Sequence, residues 1–80
     1  MKVSLYSLKK ILFQGEAQLL NCKTTIGEIT VLDNHDSLIT VLTAGVIKIV
    51  DKNQQKHFFP IKSGFLEVKA GNEVRCIVEE

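Results

Sequence analysis

Eighty residues make one domain, and a chain of this size buries only a little more than about 60% of its unfolded surface, which leaves little stability to spare for a deep, strained pocket and makes docking on a larger body natural. Ten Lys and Arg stand against nine Asp and Glu, a net charge of +1 scattered without a basic run, and aromatic residues are 6% with no Trp, which argues against nucleic acid as a partner. No apolar run exceeds five residues, far short of the ~20 that span a bilayer, and Lys9 and Lys10 follow the first apolar residues where a signal peptide has its charge in front.

In chain order, alternation of period two dominates, the mark of half-buried strands. Val3, Leu5 and Ser7 oppose Ser4, Tyr6 and Leu8. A loose helical stripe through Leu8, Ile11, Leu12, Ala17, Leu19 and Leu20 is interrupted at Gly15. The better reading is a strand, a bend over Ile11 to Gly15, and a second strand that carries Cys22 in phase with Leu20. Ile29 and Val31 face away from Thr30 and Leu32, and Ile47 and Ile49 from Val46, Lys48 and Val50. Pro60 in HFFPIKS lacks an N–H, so that segment is expected at a sheet edge. Leu66, Val68 and Ala70 oppose Glu67 and Lys69; Val74, Cys76 and Val78 oppose Glu73, Arg75 and Glu79, with Ile77 breaking the polar side and pointing to a second surface.

Turns are expected at Gly15, Gly27, Asp33-Asn34, Gly45, Asp51 to Gln55, Ser63-Gly64 and Gly71-Asn72, the last closing the clearest hairpin. The pattern predicts an all-β fold, an antiparallel β-sandwich of roughly eight to ten short strands, as one domain over residues 1–80. Cys22 and Cys76 lie far apart with no CxxC and sit on apolar strand faces, where thiols serve as small buried hydrophobes and not as a disulfide.

The conspicuous polar cluster is Asp33, Asn34, His35 and Asp36 within GEITVLDNHDSLIT. As a metal site it lacks convergence, because neighbours on an extended chain point to different sides, and His57 is the only other histidine. As a thiol triad, Cys22, His35 and Asp36 would need an exposed Cys22 with a lowered pKa. No glycine cluster cradles phosphate and the paired acids Glu79-Glu80 are terminal. A polar turn remains. Glu28 and His35 flank a strand and, with Ile29, Val31 and Leu38, read either as solvated surface or as the charged margin of an apolar docking patch at one end of the sandwich.

Four stretches in order carry a resemblance. ILFQGEAQLL resembles an "lf-x-G-x-a" opening, GEITVLDNHDSLIT a "G-E-x-G-I-x-P-x-H-x-P-L-x-T" signature, GVIKI a "G-V-I-R-I" strand and SGFLEV a "G-G-F-L-E-V" strand of the amino-terminal β-sandwich domain of the rotary ATP synthase ε subunit, called δ in mitochondria. Thr30, Asp33 and Ser37 replace the family's glycine and two prolines, Ala44 a proline and Ser63 a glycine, mainly at turns. The resemblance implies a non-catalytic central-stalk subunit without cofactor or metal. It would dock on the γ subunit and the membrane c ring, help couple proton-driven rotation to ATP synthesis, and sit peripherally at the cytoplasmic face of the bacterial inner membrane or its organellar equivalent. It places Glu28 and Ile29 at the c ring and His35, Leu38 and Leu42 at γ. A free-standing adaptor sandwich is the alternative. The family's two-helix carboxy-terminal domain is expected to be absent, since the sequence stops at IVEE.

Overall fold

The computed structural model describes residues 1–80 as eight strands without a helix. They are β1 (Lys2–Ser7), β2 (Ile11–Thr24), β3 (Gly27–Leu32), β4 (Leu38–Leu42), β5 (Gly45–Asp51), β6 (Lys56–Ile61), β7 (Ser63–Lys69) and β8 (Glu73–Glu79). Hydrogen bonds connect all eight, and β2 divides them into two layers. Its first half pairs with β1, while its second half lies between β5 on one edge and β3 on the other. One layer is therefore β3-β2-β5-β6 and the other β2-β1-β8-β7-β4, with β4 returning to β2 at the single pair Thr24 and Leu42.

Inward-facing residues of the alternating strands fill the space between the layers. Val3, Leu5, Leu42, Leu66, Val68, Val74, Cys76 and Val78 come from one side, Leu20, Cys22, Val31, Ile47, Ile49 and Ile61 from the other, all buried. Thr24 is the one buried polar side chain, and its hydroxyl donates to the Gly27 carbonyl at 2.7 Å and accepts from the Ile26 amide at 3.2 Å. A buried hydroxyl satisfied twice in this way carries little desolvation penalty.

Three expectations are corrected. The sandwich is antiparallel except between β1 and β8, which run parallel, Lys2 beside Glu73 through Ser7 beside Val78. These are the first and last strands, and a pairing without a hairpin leaves no turn signal to read. The break between strands placed at Ile11 to Gly15 does not occur, for β2 is continuous over 14 residues and Gly15 pairs with Val3; what the segment holds is a bulge, the register with β1 skipping Leu12 between Phe13 and Ile11. A second slip lies between Ala17 and Leu19, where β2 passes from one layer to the other; bulges produce such changes of direction. Ser63-Gly64 is strand and not turn, because the chain changes layers at Lys62 alone, whose amide donates to the Glu79 carbonyl at 2.7 Å.

The remaining turns follow their chemistry. Gly71 and Asn72 both take positive φ, 87° and 61°, the backbone that a tight hairpin between right-twisted strands demands. Asp51 closes the β5–β6 turn by accepting from the amides of Asn53 and Gln55 at 2.8 and 3.0 Å. As Pro60 predicted, β6 is an edge, paired only with β5.

Candidate interaction surfaces

The polar cluster is a tied loop. Asn34 adopts φ 61° and its amide donates to the Asn72 side-chain oxygen at 2.8 Å, while the Asn72 amide group donates to Asp33 at 3.2 Å. Asp33 also accepts from the α-ammonium of Met1, which donates a second bond to the Ala17 carbonyl at 2.9 Å. The ammonium hydrogen bond first, then that from Asn72, holds the Asp33 carboxyl below its ordinary 3.8. His35 turns its Nδ1 to the Asp36 carbonyl at 2.7 Å, so its ring addresses backbone and not an acid. No three His, Cys, Asp or Glu side chains converge as metal ligands.

The thiols are sealed in the core. Burial, and then the Glu28 charge, pushes Cys22 up to about 11; burial, and then Cys22, pushes Cys76 up to about 12. A thiol held protonated is a poor nucleophile, so the Cys22, His35 and Asp36 arrangement has no chemical basis.

Of the residues read as interface, Glu28 and His35 are exposed. They do not share one end of the sandwich. Glu28 pairs with Lys23 beside the β2–β3 turn, whereas His35 follows the far end of β3, and the four steps from Glu28 to Leu32 alone span about 14 Å at ~3.4 Å each. Ile29 and Leu38 are half-buried and pack against the core. Val31 at 0% and Leu42 at 1% exposure are core residues and offer no surface. The reason is phase: β4 turns Leu38, Thr40 and Leu42 inward and Ile39 and Val41 outward.

Those outward residues belong to a surface that the sequence only hinted at through Ile77. Pairing aligns Val41 with Phe65, Phe65 with Ile77, Ile77 with Tyr6 and Tyr6 with Ile11, one apolar row across five strands of the outer face. Phe65 is 60% exposed and the neighbouring Ile39 is 73% exposed. Beside the row, Ile39, Phe65 and Ile77 bound a shallow groove of about 260 Å³ that also meets Glu67 and Arg75, themselves paired at 2.8 Å. An apolar strip with its only charges internally neutralised is suited to another protein's apolar face, and large apolar side chains exposed together mark such sites.

At the opposite seam, His57 Nε2 meets Asp51 at 2.9 Å, with the ring 5.2 Å from Phe13 and 6.5 Å from Phe59. The His57 hydrogen bond first, then the turn amide of Gln55, lowers the Asp51 carboxyl from 3.8. This cluster fastens β6 to β2 and joins no nucleophile.

With the geometry described, likeness to known proteins adds the context. The family described as ATP synthase, Delta/Epsilon chain, beta-sandwich domain matches residues 1–80. The ATP synthase epsilon chain of Clostridium novyi (strain NT) is 38% identical over 68 residues, 84% of this chain and 51% of that one. The chloroplastic ATP synthase epsilon chain of Mesostigma viride is 39% identical over 70 residues, 88% of this chain and 52% of that one. This chain thus spans about half the length of the relatives it matches. In fold it resembles a chain of the Euglena gracilis mitochondrial ATP synthase OSCP/F1/c-ring structure, with a TM-score of 0.90 and 22% identity over 98% of this chain and 49% of that one. A chain of the Tetrahymena thermophila mitochondrial ATP synthase central stalk/c-ring structure gives 0.84 and 20%, over 100% of this chain and 63% of that one.

Proposed function

The chain belongs to the ATP synthase delta/epsilon β-sandwich family, and on that premise we propose that it is a non-catalytic central-stalk component of a proton-translocating ATP synthase. It binds the γ subunit and the polar loops of the membrane c ring and helps pass rotation from one to the other. Its place is at the membrane surface as a peripheral part of the complex, on the cytoplasmic face in a bacterium. What carries the reading is a family match along the whole of a fold whose outer face displays an unpartnered apolar row.

The row of Val41, Phe65 and Ile77, with Ile39, supplies the γ contact in place of the inward-facing Leu42, and His35 stands at its own end of the body as a polar contact. A few centrally buried, well-packed side chains carry most of an interface's binding energy, which singles out Phe65 at the middle of the row. Glu28 meets the c ring with Ile29 behind it; an exposed carboxylate against a polar loop contributes about 0 to 1 kcal/mol, which orients more than it binds. The chemistry of ATP formation belongs to other subunits. This domain acts as a stiff coupling block: strand β2 belongs to both layers, so load on one is carried through the backbone to the other.

The test is a binding titration of γ, alone and with the c ring, against the chain and a Phe65→Ser/Ile77→Ser variant. We expect micromolar or tighter binding, weakened at least about tenfold in the variant, as loss of two central apolar contacts produces. No binding to γ, or equal binding by a folded variant, overturns the reading. Capture of other proteins without any ATP synthase subunit favours a free-standing adaptor.

A further inference from the structure

The outer face of the other layer carries a different pattern. Lys56 on β6, Lys48 on β5 and Lys23 on β2 lie far apart in sequence, yet the registers set them on one diagonal. Lys48 pairs with Phe58, two residues from Lys56, and with Asn21, two residues from Lys23. Each diagonal step is about 8 Å, so the stripe extends about 16 Å. None of the three ammonium groups is in an ion pair. The Lys23 stem lies flat over Gly45, whose absent Cβ would meet Lys23 Cδ at 3.2 Å, and this lays the charge along the sheet. Apolar side chains flank the stripe on both sides: Val46 and Phe58, 47% and 59% exposed, on one, and Leu32, 53% exposed, with Val50 on the other. A trough of about 460 Å³ runs between Lys23, Lys48, Val46 and Phe58, with Glu28 and Asn21 also in its lining.

We propose that this face is a second docking surface, separate from the γ-facing row, and that its occupant is an acidic amphipathic helix of a partner protein. Charge complementarity selects acid, since three cations face out against one anion on that side of the sheet: Glu28, directly cross-strand from Lys23, leaves Lys48 and Lys56 with no acid beside them. The flanking aliphatic and aromatic groups favour protein over a nucleic-acid backbone, which has nothing apolar to set against Val46, Val50 and Leu32. Helical form follows from direction: ladder hydrogen bonds lie in the plane of the sheet, so a segment laid on its face finds no backbone partners and must satisfy its own. About 16 Å is eleven residues of helix at ~1.5 Å, so carboxylates at i, i+4, i+7 and i+11 on one face would reach all three lysines.

The probe is a synthetic helical peptide with glutamates at those four positions and leucines beside them, titrated into the isotope-labelled chain. We expect saturable shifts confined to β2, β5 and β6, affinity that falls with salt, and a loss of at least about tenfold in Lys23→Gln/Lys48→Gln/Lys56→Gln. Lys2→Gln/Lys69→Gln should bind as the parent does. The γ affinity of the triple variant should also be unchanged, which separates this surface from the one above. Absence of binding, equal binding by the triple variant or by a lysine-for-glutamate peptide, or stronger binding of oligothymidylate or of vesicles containing phosphatidylglycerol, would overturn the proposal.

Discussion

Asp33 and Asp51 are the two carboxylates that the fold holds below their ordinary value, one through the Met1 ammonium and the other through His57. A carboxyl lowered on folding stabilises the native state above its unfolded pKa near 3.8, and that contribution is lost as pH falls through the folded value. Urea midpoints measured from pH 7 downward should therefore decline most below about pH 4. In Asp33→Asn or Asp51→Asn the decline should be shallower and the neutral-pH midpoint lower. In the core, Leu66→Ala should cost about 2 to 5 kcal/mol by equilibrium unfolding, as deleting a fully buried leucine leaves a cavity. Alternation alone identified Leu66, Val74 and Cys76 as core, because polar residues occupy the opposite phase. It could not orient LITVL, where both phases are apolar and a one-residue slip exchanges the faces; only pairing with β7 decides that Ile39 and Val41 look outward.

Among the elements, β7 shows why a glycine that reads as a turn can belong to a strand. A Cβ on Gly64 would lie 2.6 Å from the Ile77 carbonyl oxygen and 3.1 Å from the Val78 Cα, so the neighbouring backbone forbids a side chain there. Gly64→Ala should destabilise by about 1 to 3 kcal/mol, the usual range for overpacking. Gly15→Ala is the control. Its Cβ would meet nothing nearer than a Phe13 ring atom at 4.0 Å, and thermal unfolding should show a change from zero to a gain of about 1 kcal/mol. The Gly71-Asn72 hairpin and the edge position of β6 were legible, since positive φ and a missing N–H are properties of single residues. The parallel β1–β8 pair and the passage of β2 between layers were not, because they depend on contacts between distant segments.

At the scale of the whole molecule, the body offers an apolar face on one layer and a cationic one on the other, with Glu28 and His35 at opposite ends of β3. Glu28→Ala and His35→Ala should alter stability by no more than about 1 kcal/mol, as exposed positions do, and show their effect in the assembled enzyme. The expected result is a mild fall in proton-driven ATP synthesis relative to hydrolysis for the first and weaker γ binding for the second. Unfolding of either variant would mean a structural role instead. The four ordered segments revealed the family, whereas of the two faces only Ile77 gave any sign in the chain itself: each face is assembled from strands that meet only on folding.

Strand β2 also governs how the molecule comes apart. Its amides and carbonyls are shared among β1, β3 and β5, so neither layer has a private hinge along which to open. Deuterium should consequently enter the middle of β2 last, at a rate set by global denaturation, while the outer edge of β6 exchanges early. Calorimetric and van't Hoff enthalpies should agree, the behaviour of a single melting unit.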